Sequence, residues 1–259
     1  VGLGWATVRG ERLGVLTAVP AGAWALGVYG LLAFHVCYFL ALRHAPALEA
    51  SLIVYLWPLL IVLMSAWLPA RLSGRRLGWW HIGGALLGLA GAVVILAGGD
   101  ARPATSAGGT AAGYALALAA ALIWSSYSVA SRHYQHVPSS AVTGSCASTA
   151  VGAALLHLAL EATVWPATPM AWLAVLGLGL GPVGLAFYIW DEGVKRGDIR
   201  LLGVASYATP LLSTLLLAAL GLGRAHASIW LAAGLVTAGA LLAGREQLRP
   251  AGKDPAPKG

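Results

Sequence analysis

The groups able to do chemistry inside this chain are rings and hydroxyls rather than charges. Tyr55, Trp57 and Pro58 fall together in "YLWPLL", midway along an apolar stretch. A phenol O–H and an indole N–H left against hydrocarbon would have no partner, so this depth favours a protein interior. Pro58 removes a backbone donor and leaves the carbonyl of Val54 without its usual partner, and Pro210 does the same to Ser206. In hydrocarbon such a carbonyl is costly unless another group bonds it.

Other apolar runs carry matching groups. His35, Tyr38 and Leu42 share one helical face, with Leu31 a turn earlier, while Phe187 and Trp190 lie on the corresponding face of a later run. Trp124, Ser128 and Ser131 share a third face, with Tyr127 beside it. Rings stack on flat solutes or hold an ammonium by cation–π attraction, worth roughly 0.5 to 2 kcal/mol. Hydroxyls and freed carbonyls can take a polar head. The expected substrate site therefore comprises His35, Tyr38, Tyr55, Trp57, Trp124, Ser128, Phe187, Trp190 and Tyr207, with Pro58 and Pro210 as hinges. It suits an amino acid with a large apolar side chain or a related metabolite.

Other chemistries lack their residues. No His, Cys, Asp or Glu grouping has metal-ligand spacing, no cofactor motif occurs, and no G-x-x-x-x-G-K-[ST] is present. Cys37 and Cys146 lie inside apolar runs and read as packing residues. His133 and His136 form a close pair in a basic loop without a carboxylate, which argues against an enzyme. Asp191 and Glu192 next to Lys195 and Arg196 read as a solvated ion-pair cluster at a helix end, and Glu49 and Glu161 read the same way at the other side. His35 reads as a neutral cavity histidine. Without a buried carboxylate, movement down the solute's own gradient is favoured over proton coupling.

The elements that must hold these residues are membrane-spanning helices. Of 259 residues only 10% are charged and 59% are hydrophobic, with a mean hydropathy of +0.78, too apolar for a soluble domain of this size. Unbroken runs rich in Leu, Ala and Gly exclude an alternating barrel. Eight spans are expected, near 15–42, 46–69, 79–98, 108–131, 140–160, 170–193, 199–221 and 227–244. The fold class is an all-α polytopic membrane protein. Trp5, Trp67, Trp79, Trp80 and Trp165 near span ends fit interfacial belts.

The formal charge of +7 implies no nucleic-acid partner, because the basic residues sit in short loops and set topology. Alternate loops place Arg9, Arg12, Arg71, Arg75, Arg76, Arg132, Lys195, Arg196, Arg200, Arg245, Arg249, Lys253 and Lys258 on one side and only Arg43, Arg102 and Arg224 on the other. The richer side, with the C-terminus, is expected to be cytoplasmic, which places the chain in a bacterial inner membrane.

Laying Tyr55 over Tyr207 also places Pro58 over Pro210, Tyr38 over Trp190 and Arg43 over Lys195. The chain reads as residues 1–98 and 108–244 of one design, joined by a 99–107 linker and followed by a disordered tail, 245–259. The charge count puts Arg43 and Lys195 on opposite sides, so the copies are expected to be inverted, with the site between them. The second copy shows five spans and the first three. Symmetry then implies ten helices, two of them before Val1.

A five-plus-five inverted repeat with short loops resembles the drug/metabolite transporter superfamily with EamA-type domains, over essentially the whole chain. Within it, "YLWP" and the ring-rich span before it resemble the YddG-type exporters of aromatic amino acids. The resemblance implies export of aromatic or other neutral amino acids by alternating access. A proton-coupled multidrug or metabolite efflux carrier is the alternative. The sequence sets no oligomeric state, and a monomer is compatible with it.

Overall fold

Strings of Leu, Ala, Val and Gly with few breakers fold as helices, and turn residues separate them. The computed structural model describes residues 1–10, 19–69, 72, 77–98, 111–220 and 228–248, and among them there are helices and no strands. We number the helices α1 (Gly2–Arg9), α2 (Ala21–Val28), α3 (Phe34–His44), α4 (Ala47–Val54), α5 (Trp57–Met64), α6 (Trp79–Gly98) and α7 (Ala111–Ser131). Then come α8 (Val142–Leu160), α9 (Pro169–Leu180), α10 (Ala186–Arg196), α11 (Ile199–Ala205), α12 (Ala208–Ala219) and α13 (Ser228–Leu248).

Among the described residues six stretches are long and apolar enough to cross a membrane: Ala21–His44, Glu49–Trp67, Ala111–Tyr134, Ser139–Leu160, Pro169–Arg196 and Ser228–Arg245. The first has 24 residues, about 36 Å of helix against roughly 30 Å of hydrocarbon. Of the other two expected spans, 79–98 is helical with a shorter apolar part, Trp79–Val94, and 199–221 is divided into α11 and α12. Helix α13 runs to Leu248, into the segment read as a tail. The 99–107 linker, the beginning of the 15–42 span and residues 249–259 lie outside the described residues.

Local chemistry sets the ends. Ala45 is extended (φ −140°, ψ 156°), as a residue before proline prefers, and stops α3. The Thr168 hydroxyl accepts the Ala171 N–H at 3.2 Å with Pro169 in the first turn of α9. The Asp198 carboxylate accepts the N–H groups of Arg200 (2.9 Å) and Leu201 (3.3 Å) at the start of α11.

Two long helices bulge and two break, at matched places. Tyr29–Ala33 and Gly181–Leu185 are π turns, and the helices that follow end at His44 and Arg196. These positions correspond when Tyr55 is laid over Tyr207. The chain also turns at Tyr55–Leu56 and at Ser206–Tyr207, one turn or less before Pro58 and Pro210. At the first break the Leu56 N–H reaches back to the Ile53 carbonyl at 3.1 Å; at the second the Tyr207 N–H bonds Val204 at 3.2 Å. The Ser206 carbonyl, expected to be freed by Pro210, accepts the Thr209 N–H at 3.0 Å. A tight turn has re-bonded it.

Both prolines are buried, and the broken helices cross one another. A Cβ on Gly203 would stand 3.1 Å from the Pro58 carbonyl, so a larger residue would crowd this approach of α11 to α5. Helices α6 and α13 run antiparallel with equal intimacy: a Cβ on Gly84 would meet the Gly239 carbonyl at 2.6 Å, and one on Gly239 the Gly84 carbonyl at 2.6 Å. Helix α7 is the hub, packed on α3, α4 and α5, with Gly113 against the His44 backbone. It thus starts at the Arg43 end of the bundle and carries Arg132 to the opposite end.

Candidate transport site

Trp124, 8% exposed, stands where rings from both halves of the chain converge. Its ring centroid lies 5.2 Å from Phe34, 5.4 Å from Tyr127, 5.8 Å from both Phe187 and Trp190, and 6.4 Å from Trp57. Trp57 meets Trp190 edge-on at 5.3 Å, and His35 meets Phe187 edge-on at 5.9 Å. Edge-to-face and tilted pairs are the favoured geometries, each worth about 0.5–1.5 kcal/mol beyond burial.

The polar tips are bonded in series. The Trp190 indole N–H donates to the Ser128 hydroxyl at 3.1 Å, and that hydroxyl donates to the Trp124 carbonyl at 2.8 Å. The Ser125 hydroxyl donates to its own helix at Ala121 (2.6 Å) and reaches the Trp57 carbonyl (3.0 Å), tying α7 to the break between α4 and α5. Gly30, in the first π turn, lets the backbone lie against the Tyr127 ring; any Cβ there would overlap it.

Of the expected site residues, Tyr38 borders this cluster and Tyr55 and Tyr207 sit apart from it. Tyr38 stacks on Phe34 (5.8 Å, 11° between planes) and packs against α4 and α7. Tyr55 packs against the core between α6 and α13. Tyr207 is fully buried in the same core, and its hydroxyl accepts the Leu59 N–H at 3.2 Å, capping the start of α5 across the helix crossing.

Beside the cluster lies a cavity of about 520 Å³ between α3, α8 and the second π turn, within the range of small-molecule sites. His35 and Phe187 belong to both the cluster and the cavity wall, joined there by Phe39, Cys146 and Thr149. The His35 Nδ1 is 2.6 Å from the Leu31 carbonyl, which leaves Nε2 as the ring's other polar atom. The Thr149 hydroxyl is buried with no hydrogen-bond partner among the described residues. Helix α8 was not assigned to the site from sequence. A Ser145 and Thr149 pair one turn apart in an apolar span was the available signal.

Charge lies at the two ends. At the cavity rim Arg43 pairs with Glu161, whose other oxygen is 2.7 Å from His157 Nδ1; His157 Nε2 is 2.9 Å from the Thr163 hydroxyl. The hydrogen bond from His157, then that from Arg43, holds the Glu161 carboxyl below the usual carboxylate range. At the opposite end the cluster expected to be solvated is divided: Arg196 is exposed and pairs with Glu192 at 3.0 Å, while Asp191 and Lys195 are buried. Lys195 (7% exposed) pairs with Asp191 (5%) at 2.8 Å and donates to the Val137 carbonyl at 2.9 Å. Asp191 also accepts the Ser139 hydroxyl at 2.6 Å. Arg132 donates to the carbonyls of Leu72 (2.7 Å), Val194 (2.7 Å) and Gly197 (2.6 Å), and the fully buried Arg200 donates to the Ser65 hydroxyl at 2.9 Å. Sequence alone gives both arginines as loop charges; backbone carbonyls around Arg132 and the Ser65 hydroxyl beside Arg200 are partners that residue type does not reveal.

A multi-pass bundle whose helices bulge and break around an apolar, ring-lined cavity is the architecture of a membrane transporter. The sequence profile of the EamA-like transporter family matches residues 3–97 and 111–245, and the chain belongs to that family. It is 50% identical over 243 residues to the aromatic amino acid exporter YddG of Ancylobacter novellus, covering 94% of this chain and 82% of the relative. A probable terminal-alkyne amino-acid exporter of Streptantibioticus cattleyicolor is 31% identical over 231 residues, 86% of this chain and 72% of that one. A solved crystal structure 48% identical to the chain superposes with a TM-score of 0.85 over 96% of this chain and 84% of the other.

Proposed function

We propose that this protein exports aromatic and other neutral amino acids across a bacterial inner membrane by alternating access, with its C-terminus in the cytoplasm. The observation that carries this reading is the cluster in which Trp57 from one half meets Trp124 and Trp190 from the other, with Phe187 against Trp124, beside a cavity of about 520 Å³. Flat, apolar surfaces with few polar atoms suit aromatic side chains and repel hydrated ones. The name carried by the 50%-identical relative supports the same substrate class. The relative named for terminal-alkyne amino acids extends it to neutral side chains that are not rings.

The two halves act as inverted repeats that rock about the breaks at Tyr55–Leu56 and Ser206–Tyr207. Support comes from the matched π turns, the matched breaks and the antiparallel contact of α6 with α13. The Lys and Arg imbalance between alternate loops supports the orientation. The site proposed is the ring cluster, His35 and the adjoining cavity, while Tyr207, Pro58 and Pro210 form the joint.

Proteoliposomes assayed with labelled phenylalanine, threonine and a quaternary dye, with and without a pH gradient, test this. Phenylalanine flux is expected to exceed the other two and to persist without a gradient. Trp57→Ala is expected to cut it at least tenfold. Unchanged flux in Trp57→Ala overturns the site, and dye flux that requires a pH gradient selects the proton-coupled multidrug reading.

A further inference from the structure

An amino acid carries two opposite charges that the ring cluster cannot satisfy. Among the described residues lining the cavity, the charged side chains are Arg43 and Glu161, with His157 beside them. The other lining residues named above are apolar or neutral, so charged recognition at this cavity falls to its rim. We propose that Arg43 and Glu161 form the subsite for the substrate's zwitterionic head, with Arg43 taking the α-carboxylate and Glu161 the α-ammonium. This rests on the amino acid export reading above.

The geometry of the rim favours an exchange of partners. Arg43 is more than half exposed and Glu161 a third exposed, so their mutual pair gains little and is easily opened. A guanidinium binds a carboxylate through two parallel N–H donors, the strongest arrangement available to it. Glu161 does not depend on Arg43 for its position. Its backbone N–H bonds the His157 carbonyl at 2.9 Å, and its second carboxylate oxygen is held by His157, itself braced by Thr163. When Arg43 turns to the substrate's carboxylate, Glu161 stays in place and one oxygen is released for the ammonium. Because the substrate brings one charge of each sign, the exchange leaves the net charge of the rim unchanged.

The cavity takes the rest of the molecule. Phe39 lies one turn below Arg43 on α3, about 6 Å deeper, and His35 two turns, about 12 Å. A head held at Arg43 therefore carries an aromatic side chain down beside Phe39. The unpartnered Thr149 hydroxyl and His35 lie in the same cavity, where a ring bearing its own N–H or O–H has partners to find.

Three ligands separate the two charges: phenylalanine, phenethylamine (ammonium only) and 3-phenylpropionate (carboxylate only). Their binding to the purified full chain is read by quenching of tryptophan fluorescence, and their flux in proteoliposomes. Arg43→Gln is expected to weaken phenylalanine and 3-phenylpropionate about tenfold while phenethylamine binds at least as well as before, because Glu161 loses its competing partner. Glu161→Gln is expected to weaken phenylalanine and phenethylamine about tenfold while 3-phenylpropionate binds at least as well as before. The ligand that keeps its affinity in each variant reports that the protein is folded. A uniform loss for all three ligands, or no change for any, reduces the rim to an ion pair that braces α3 against α8 and overturns the proposal, as does failure of the wild type to bind phenylalanine. If the crossed pattern appears in binding while the wild type moves none of the ligands, the subsite stands and the export reading falls.

Discussion

The two ends of the bundle use charge in opposite ways. At one end Arg132, Lys195 and Arg200 are buried, and their partners include carbonyls, a hydroxyl and Asp191 drawn from both halves of the chain. At the other, Arg43, Glu161 and His157 border a cavity and stay partly exposed. A charge taken out of water must be paid for by close partners, so the first set is fixed and seals its end. The second set can change partners at little cost. The contrast makes one end structural and leaves the other free for recognition.

Removing a charge at the sealed end should therefore cost stability. Lys195→Met leaves the buried Asp191 carboxylate without its cation, a loss of about 3–5 kcal/mol by thermal unfolding in detergent. Arg132→Gln unties the carbonyls of Leu72, Val194 and Gly197, and a loss of about 2–3 kcal/mol is expected from the same measurement. Between the ends, Tyr207→Phe leaves the Leu59 N–H without its acceptor and should cost about 1 kcal/mol. At the rim, Arg43→Gln should leave the melting temperature where it is while altering ligand affinity. A melting shift as large as that of Arg132→Gln would erase the distinction between the ends.

The smallest effect is on pH. A carboxyl whose folded pKa is depressed keeps its charge, and any stability that depends on it, above the ordinary value and loses both as pH falls through the depressed one. With His157 and Arg43 holding Glu161 charged, phenethylamine affinity should stay level from pH 8 down to the ordinary glutamate value of about 4.3 and weaken only below it. A decline that begins above pH 5 would show that these partners do not hold the anion.

Much of this was legible in the residues. Apolar runs of membrane length gave the helices, and Pro58 and Pro210 marked the breaks because proline cannot complete a helical ladder. Indole and phenol groups at mid-depth pointed to the protein interior, and Trp57, Trp124 and Trp190 do lie against one another there. Tyr207 shows the limit of that reasoning: its depth and type matched the others, but the crossing of α5 and α11 turned it into a cap for Leu59. Spacing along one helix cannot reveal which neighbour a side chain meets. For the same reason Asp191 and Lys195 read as solvated, and the contribution of α8 to the cavity was invisible. The π turns left no local signature in composition at all.

Those π turns govern aim. Each inserts one more residue than an α-helix would use for the same climb, and one residue is about 100° of rotation. His35 and Tyr38 follow the first insertion and Phe187 and Trp190 the second, while the opening turns of both helices precede them. Deleting a single residue within Tyr29–Ala33 would let that turn close to ordinary α geometry, and the side chains after it would keep their bearing. The sequence period therefore slips by one position at each insertion, so the residue that fills a given place among the rings is set by a count made several positions upstream.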